Sequence, residues 1–349
     1  MRVQGTDYRT IWMDGPKVFM INQLLIPFRF EIHASPTYQA TCDAISTMVV
    51  RGAGAIGAAA GFAMAQACLE APYAGYGEFI LNARKSIEST RPTAHDLFFA
   101  VGQVYDAGMI SPEQAVLKAH ELAEKNACDG KRIGEYGQEL IREGYRIQTH
   151  CNAGWLGLVD YGSALAPVYL AHRQGKKLFV WVDETRPRNQ GARLTAWELQ
   201  QEDIPFAIIA DHAAAYLMSR GEVDLVIVGA DRIAANGDVA NKIGTLALAI
   251  AACEFGVPFY VAAPTSTMDP SCHDGTGIVV EERSPSELLY FKGYRKDIPV
   301  MEEVSVCPPG AEAWNPAFDI TPARLIKGII TEKGIISPSR ETIMNIMNL

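Results

Sequence analysis

The sequence lacks the patterns of a disulfide scaffold, a zinc finger and a secreted protein. Its seven cysteines are odd in number and scattered, and they include no Cys-x-x-Cys pair. We therefore expect free thiols and a reducing, cytoplasmic setting. The charged residues Arg9, Asp14 and Lys17 interrupt the start of the chain, so we expect no signal peptide. We also find no uninterrupted apolar run long enough to predict a membrane span.

Basic charge is scarce as well. The chain has 31 Lys and Arg against 40 Asp and Glu, which gives a formal net charge of −9. This balance argues against nucleic acid or an anionic membrane as the main partner. The rest of the composition, 48% hydrophobic and 20% charged, is that of an ordinary globular protein. For 349 residues we expect two domains, which we place at 1–128 and 129–349.

The first domain is predicted to be a short antiparallel sheet followed by helices. Turn and capping signals place these elements. The expected elements are a hairpin around Asp14-Gly15-Pro16, a strand over 28–33, a helix that starts with Ser35 and Pro36 and ends near Met48, an alanine-rich helix that ends near Glu70, a helix from 91–94 to Asp106, and a helix from Ser111 to Gly144 with a break near Gly130.

A glycine-rich segment, Arg51-Gly52-Ala53-Gly54-Ala55-Ile56-Gly57, precedes the alanine-rich helix. Its glycines match the G-x-G-x-x-G pattern of dinucleotide sites, but such a site needs a parallel strand directly before the motif, and we expect a helix there. Small residues of this kind also let two helices pack closely. We favour a third interpretation, in which a glycine-rich helix start binds phosphate and Arg51 adds a cation.

From Arg146 onward, strands and helices alternate. This alternation predicts an α/β fold with a Rossmann-like, doubly wound parallel sheet, in which the carboxyl ends of the strands share one edge and ligands bind there. The polar residues expected at that edge are His150, Cys151, Asp183, Glu184, Arg186, Asp211, Asp231 and Thr265. After Asp269 we expect a loop-rich tail that closes with a helix through Ile330.

The segment 223–255 combines several of these signals. We expect a buried strand over 223–228, and then a helix that is capped by Asp238 and runs to about 255. Asn241 and Lys242 would then lie in the first turns of that helix, where free backbone N–H groups favour an anion. Burial would raise the pKa of Asp231 and make it a proton donor. In the alternative interpretation, Asp231 only pairs with Arg232 or caps a loop.

Five stretches together resemble a known family. They are RGAxAIG from Arg51, THCNAG from Thr149, ETRPxxQGARLTAWEL from Glu184, GADRIAANGDVANKIGT from Gly229, and NPAFD from Asn315. Together they look like the methylthioribose-1-phosphate isomerase family, and the resemblance covers nearly the whole chain. The wider family includes isomerases of 5-deoxyribose 1-phosphate and ribose 1,5-bisphosphate. It also includes initiation-factor-2B-like regulatory subunits, which share the fold without the reaction.

The resemblance implies an aldose–ketose isomerase of methionine salvage, which converts 5-methylthioribose 1-phosphate to 5-methylthioribulose 1-phosphate. It also implies a cytoplasmic homodimer that uses no metal or organic cofactor. Its catalytic positions are Cys151 and Asp231. Its substrate- and phosphate-binding positions are Arg51, Gly52, Ala53, Gly54, Arg91, Gln190, Asn241 and Lys242.

These residue types suit the chemistry. In a furanose 1-phosphate the anomeric oxygen is esterified, so the ring does not open spontaneously. An acid must protonate the ring oxygen, a proton must leave the second carbon, and one must reach the first. A protonated Asp231 suits the acid role, and Cys151 suits proton transfer or charge stabilisation. The amides of 152–154 would lower the pKa of Cys151. The assignment of each step stays open, and a hydride-transfer mechanism needs the same residues.

Two departures from the family pattern bear on the fifth carbon of the sugar. Gly54 replaces the usual proline, and the stretch from Trp155 to Asp160 replaces a small, apolar continuation. We therefore expect a bulky aromatic residue and an acid close to Cys151. The substituent on the fifth carbon is then a methylthio group, a bare methyl group, as in 5-deoxyribose, or another group. We expect His150 to orient or pack, and Arg186 and Arg193 to pin loops.

Overall fold

The structure, a computed structural model, describes residues 1–92, 95–298 and 300–348. Its strands are β1 Arg2–Val3, β2 Thr6–Asp7, β3 Ile11–Asp14, β4 Lys17–Ile21, β5 Ile32–Ser35, β6 Arg146–Thr149, β7 Phe179–Asp183, β8 Phe206–Ile209, β9 Leu225–Val228, β10 Arg232–Ala234, β11 Val239–Lys242, β12 Phe259–Ala262, β13 Met268–Asp269, β14 Tyr290–Tyr294, β15 Met301–Ser305, β16 Phe318–Thr321, β17 Gly328–Thr331 and β18 Gly334–Ile336. Its α-helices are α1 Tyr38–Ser46, α2 Ala53–Glu70, α3 Tyr76–Ser89, α4 His95–Gly108, α5 Pro112–Gly137, α6 Ala166–Arg173, α7 Ala196–Gln201, α8 Ala213–Ser219, α9 Thr245–Glu254, α10 Ser286–Leu289 and α11 Arg340–Met347.

The N-terminal part begins with the antiparallel sheet β3-β4-β5. The predicted hairpin is confirmed, since Asp14 pairs with Lys17 across the turn. The predicted start of the first helix at Ser35 was wrong. Ser35 is the last residue of β5, where it pairs with Val18. Thr37 caps α1 instead, and its hydroxyl accepts a hydrogen bond from the amide of Ala40 at 3.2 Å.

Helix α2 is the centre of the N-terminal core. By length and hydropathy it is long and apolar enough to cross a membrane, which corrects the expectation that no run qualifies. However, 83% of its 18 residues are buried, and it packs against α1, α3, α4 and α5. A helix that is apolar on all sides belongs inside a core, and its many Ala and Gly residues let the neighbouring helices approach closely.

The helices that follow match the prediction in part. Thr93 and Ala94, where the next helix was expected to begin, lie outside the described residues, and α4 runs from His95. Helix α5 is continuous to Gly137, so the break near Gly130 was wrongly predicted. Gly130 instead lets α5 approach the backbone of 160–162, where a Cβ would lie 2.8 Å from two carbonyl oxygens. The predicted domain boundary at 128/129 falls within α5, and the division into domains stays a prediction.

The predicted parallel sheet is confirmed. Its strand order is β18-β17-β12-β9-β6-β7-β8, and only β18 is antiparallel. The chain moves outward from β6 to β7 and β8, returns to β9 beside β6, and then moves outward on the other side. The order therefore reverses between β6 and β9. Ligands of doubly wound sheets bind at the carboxyl ends of strands at such a switch point.

The chain after Asp238 does not form the expected helix. Residues 239–242 are strand β11, which pairs with β10 and β16, and α9 begins only at Thr245. The reason is local: Asn236 and Gly237 form a hairpin turn, in which Gly237 has φ +91°. Asp238 is therefore not a helix cap. Its carboxylate accepts hydrogen bonds from the amides of Gly275 at 3.0 Å and Ala323 at 2.9 Å.

The predicted helix through Ile330 was also wrong. Residues 328–331 are strand β17, fully buried and parallel to β12. The antiparallel β18 and helix α11 were not predicted. The other predicted strands and helices are present, with ends that shift by a few residues.

Candidate active site

A cavity of about 460 Å³ lies at the switch point, between the carboxyl ends of the sheet strands and the start of α2. Cys151 follows β6, and Asp231 follows β9, so the two predicted catalytic residues come from the strands that flank the reversal of strand order. All the predicted catalytic and substrate-binding residues line this cavity: Cys151, Asp231, Arg51, Gly52, Ala53, Gly54, Arg91, Gln190, Asn241 and Lys242.

The start of α2 forms one wall. Gly52 precedes the helix with φ +90°, and a Cβ there would lie 2.4 Å from the Cα of Gly157, so only glycine fits. The preceding element is helix α1, so the strand that a dinucleotide motif requires is not there. No side chain caps α2. The first N–H groups of a helix have no partner within it, and the positive end of the dipole favours an anion.

Three buried polar atoms that belong to cavity-lining residues have no hydrogen-bond partner among the described residues. Arg51 donates from Nη2 to the backbone oxygen of Asn152 at 3.3 Å and to its Oδ1, while its Nε has no hydrogen-bond partner among the described residues. The same holds for Nη1 of Arg91 and Oε1 of Gln190. Leaving buried polar atoms unpaired is costly. Together these atoms offer donors to an anion and an acceptor to a hydroxyl group.

Lys242 and Asn241 reach the cavity from β11. The Lys242 side chain is buried, its Nζ donates to the carbonyl of Ala317 at 2.7 Å, and it lies 4.6 Å from the centre of the Phe318 ring. Burial lowers the pKa of Lys242. Nδ2 of Asn241 donates to the hydroxyl of Thr245 at 3.0 Å. A strand, and not the expected helix start, therefore presents these two side chains.

Asp231 does not pair with Arg232, which binds Asp269 instead, with Nε 3.0 Å from the carboxylate. The Asp231 side chain is exposed to the cavity, which it lines. The protein atoms around the cavity desolvate its carboxylate, and this desolvation raises the pKa of Asp231 against the opposing effect of the cations Lys242, Arg283, Arg51 and Arg91. A carboxyl group in this setting holds a proton more readily than a free aspartate, which is the requirement for an acid catalyst.

Cys151 is held in an unusual backbone conformation, with φ +64°. Such conformations persist in non-glycine residues only where the surroundings enforce them. Here two threonines do so: the amide of Cys151 donates to the hydroxyl of Thr185 at 2.8 Å, and its carbonyl accepts from the hydroxyl of Thr195 at 2.7 Å. The thiol lies close enough to Arg51 and Lys242 to interact with both charges.

The loop after Cys151 differs from the expectation. Trp155 is fully buried and packs against Trp197, with ring centres 5.6 Å apart. Asp160 pairs with the terminal amine of Met1 at 3.3 Å. Neither is among the described residues that line the cavity, so the predicted aromatic residue and acid beside Cys151 were wrong. The loop turns its large side chain into the core of the sheet domain and presents Gly157 and Leu158 to the cavity.

A second polar cluster lies at the same edge of the sheet. Nδ1 of His150 is 2.8 Å from Asp183, and its Nε2 is 2.8 Å from the carbonyl of Ile243. Burial alone would lower the pKa of His150, but the hydrogen bond and charge of Asp183 outweigh it, and the pKa is raised. The carboxylate of Asp211 accepts hydrogen bonds from the backbone amides of Thr185 and Arg186. The ligand atoms of His150, Asp183 and Asp211 lie within 4.8 Å of one another, but these bonds already engage them.

The remaining predicted edge residues lie outside the cavity lining. Asp183, Glu184, Arg186, Asp211 and Thr265 follow the strands as predicted but do not line the cavity. The guanidinium of Arg186 stacks 4.0 Å from the centre of the Phe291 ring, and Arg193 donates to the carbonyl of Leu24 at 2.9 Å. Both contacts hold loops together.

Sequence reasoning missed three residues of this site. Arg283 lines the cavity and pairs with Glu281 at 3.1 Å. Asp96 lines it from α4, and burial raises its pKa. Phe318 stacks on Lys242. Phe318 belongs to the NPAFD stretch, so that motif was the available signal, whereas nothing near Arg283 or Asp96 in the sequence marked them.

Comparison with known proteins agrees with this architecture. The model of the initiation factor 2 subunit family matches residues 49–338. The chain is 46% identical over 330 residues to a methylthioribose-1-phosphate isomerase of Acetivibrio thermocellus. The match covers 91% of this chain and 94% of that one. It is 44% identical to the methylthioribose-1-phosphate isomerase of Acidiphilium cryptum, and the match covers 98% of this chain and 96% of that one.

Two solved structures have the same fold. The 5-methylthioribose 1-phosphate isomerase of Pyrococcus horikoshii superposes with a TM-score of 0.87 at 38% identity, covering 98% of this chain and 96% of that one. The translation initiation factor eIF-2B subunit delta of A. fulgidus superposes with a TM-score of 0.85 at 38% identity, covering 98% and 100%. The chain therefore belongs to the initiation factor 2 subunit family, and it matches methylthioribose-1-phosphate isomerases over nearly their whole length.

Proposed function

We propose that this protein is an aldose–ketose isomerase that converts 5-methylthioribose 1-phosphate to 5-methylthioribulose 1-phosphate. One observation carries the proposal above the others. A carboxyl group of raised pKa, Asp231, shares one cavity with a thiol, Cys151, and with buried donors that have no partner. This combination suits a substrate that has both an anionic end and a ring to be opened by acid.

These positions support the following proposed steps. Asp231 gives its proton to the ring oxygen as the bond between that oxygen and the first carbon breaks. The second carbon loses its proton, which leaves an enol between the first two carbons. The first carbon then gains a proton, and the hydroxyl on the second carbon loses its own to become the ketone. Cys151 serves the transfer between the two carbons, because it lines the same cavity as Asp231 and interacts electrostatically with Arg51 and Lys242.

Phosphate binding is assigned to the cations that line the cavity and to the start of α2. Arg51, Arg91 and Lys242 supply positive charge, and the start of α2 at 52–54 supplies backbone N–H groups. Gln190 and Asn241 contact the phosphate or the adjacent sugar hydroxyls. As the family resemblance implies, we further propose a homodimer that works in the cytoplasm. These assignments all place the phosphate beside the first carbon, where Asp231 and Cys151 act.

A non-catalytic regulatory subunit is the second candidate, because a structure named as an initiation factor subunit superposes almost as well as the isomerase structure. The two functions differ in what they require of the cavity. A regulatory subunit needs no acid and no thiol there, whereas this cavity contains both Asp231 and Cys151. That observation favours the isomerase.

Turnover tests the proposal directly. The purified protein is incubated in heavy water with 5-methylthioribose 1-phosphate and, separately, with 5-deoxyribose 1-phosphate, and the products are followed by NMR. We expect the ketose from the methylthio sugar, with deuterium on the first carbon if a proton and not a hydride is transferred. Comparable turnover of both sugars would indicate a broader substrate range. If neither sugar gives a ketose, the proposed function is wrong and the regulatory alternative gains support.

A further inference from the structure

Glu198 is a fully buried carboxylate beneath the loop that follows Cys151. Its Oε1 accepts hydrogen bonds from Nδ2 of Asn152 at 2.8 Å and from the amide of Leu156 at 3.1 Å. Its Oε2 accepts from the amide of Trp155 at 2.9 Å and from the hydroxyl of Tyr169. Burial raises the pKa of Glu198 to about 7. Since three of the four partners are N–H groups, which only donate, the ionised carboxylate is the form that satisfies them.

The carboxylate decides which way the amide of Asn152 points. Nδ2 of Asn152 donates to Glu198 and also lies 3.2 Å from the hydroxyl of Thr195. The amide oxygen therefore lies on the other side, where it accepts from Nη2 of Arg51. If the amide were reversed, its NH₂ group would face the guanidinium, and two sets of donors would oppose each other.

This orientation fixes Arg51 in turn. The backbone and side-chain oxygens of Asn152 both accept from Nη2, which anchors one corner of the guanidinium. Nε of Arg51 is left without a partner among the described residues. A planar guanidinium with a free edge binds the oxygens of a phosphate monoester well, provided that its orientation is fixed.

We propose that Glu198 is a positioning residue for the substrate phosphate, which acts by fixing the amide of Asn152 and, through it, the guanidinium of Arg51. The inference rests on the proposed role of Arg51 in phosphate binding. It does not require Glu198 to touch substrate. In the competing account, Glu198 only holds the loop through the amides of Trp155 and Leu156. The two accounts differ in whether the effect of Glu198 depends on Arg51.

A double-mutant cycle separates them. The variants are Glu198→Gln, Arg51→Gln and the pair, and the measurement is the Kd of inorganic phosphate by calorimetry, with KM and kcat alongside. A glutamine offers one oxygen and one NH₂ group to four donors, so it no longer fixes the amide of Asn152. We expect Glu198→Gln to weaken phosphate binding about tenfold and to raise KM more than it lowers kcat. In the Arg51→Gln background it should cause no further loss.

Two additional variants keep the test decisive. Asn152→Ala removes the link but leaves the bonds of Glu198 to the loop amides, so it should reproduce the tenfold loss even if Glu198→Gln does not fold. Glu202→Gln is the matched control, because Glu202 lies at the end of the same helix and pairs with Arg173 at 2.6 Å. It should leave the Kd of phosphate unchanged.

The inference is overturned if Glu198→Gln or Asn152→Ala leaves phosphate binding intact. It is also overturned if Glu198→Gln weakens binding equally with and without the Arg51 guanidinium, because that result indicates a loop-folding role. Unchanged binding in Arg51→Gln would remove its premise. These outcomes differ from failure of the proposed function, in which the wild type binds phosphate and shows this coupling but turns over neither sugar phosphate.

Discussion

Two polar clusters lie at the same edge of the sheet and differ in how far they satisfy themselves. In the first, the paired cluster of His150, Asp183 and Asp211, both ring nitrogens face oxygens, and Gln148 donates to the second oxygen of Asp183 at 2.7 Å. In the second, the unpaired cluster of Asp231, Arg51, Arg91 and Lys242, the Asp231 carboxyl forms no ion pair within 4.0 Å among the described residues. Nε of Arg51 and Nη1 of Arg91 have no hydrogen-bond partner among the described residues.

The comparison shows which property marks the site. Desolvation raises the pKa of Asp183, which is buried, and of Asp231, which is exposed to the cavity, so a perturbed pKa alone would select both clusters. Buried charges are costly unless they are paired. The paired cluster avoids that cost within the fold, while the unpaired cluster retains it until an anion supplies the missing oxygens. Unpartnered donors around a cavity, more than burial or pKa, identify the candidate active site.

The largest expected effect comes from Asp231→Asn in the unpaired cluster. The amide cannot protonate the ring oxygen, so kcat should fall by about 100- to 10,000-fold. Phosphate binding should not weaken, because the asparagine amide is no more negative than the carboxyl group in either of its protonation states. The measurements are steady-state kinetics and the Kd of inorganic phosphate. A kcat within a factor of about two of wild type would exclude Asp231 as the acid.

Asp183→Asn tests the paired cluster, and its effect should appear in stability. The substitution removes the buried carboxylate that bonds to His150 and Gln148, so the free energy of unfolding should fall by about 3 kcal/mol. Urea denaturation measures this change. The matched control is Asp224→Asn, which breaks a partly exposed pair with Arg146 and should cost about 1 kcal/mol or less. Equal losses in the two variants would contradict the structural role of the paired cluster.

The sequence was sufficient to place Cys151 and Asp231 in one site because their signals are local. Each follows a short apolar run, and alternating strands and helices bring the carboxyl ends of such runs to one edge. The position of Arg51 followed from the glycines beside it. The unpaired state of the donors was beyond sequence reasoning, since it depends on which atoms the complete fold leaves without partners.

The errors arose where long-range pairing decides the structure. Strand β11 pairs with β16, about 80 residues further along the chain. The residues 239–242 carry no local signal that predicts this pairing. The apolar run at 328–331 is too short for its periodicity to distinguish a strand from a helix. It is a strand because it pairs with β12. Arg283 lines the cavity from a segment that pairs with the chain about 30 residues further on: its amide donates to the carbonyl of Asn315 at 2.9 Å, and the amide of Ala317 donates to the carbonyl of Glu281 at 2.8 Å.

The smallest of these effects comes from comparing Arg91 of the unpaired cluster with Arg283, which lines the same cavity. Arg91 has an unpartnered nitrogen, while Arg283 is already paired with Glu281. Arg91→Gln removes the proposed charge-assisted bond to phosphate, worth about 1.5–3 kcal/mol, so the Kd of inorganic phosphate should rise about ten- to a hundredfold. Arg283→Gln should raise it by less than about threefold, because that guanidinium is partly neutralised and screened. If the two variants weaken binding equally, total positive charge determines phosphate affinity, and the free donors that distinguish the two clusters do not.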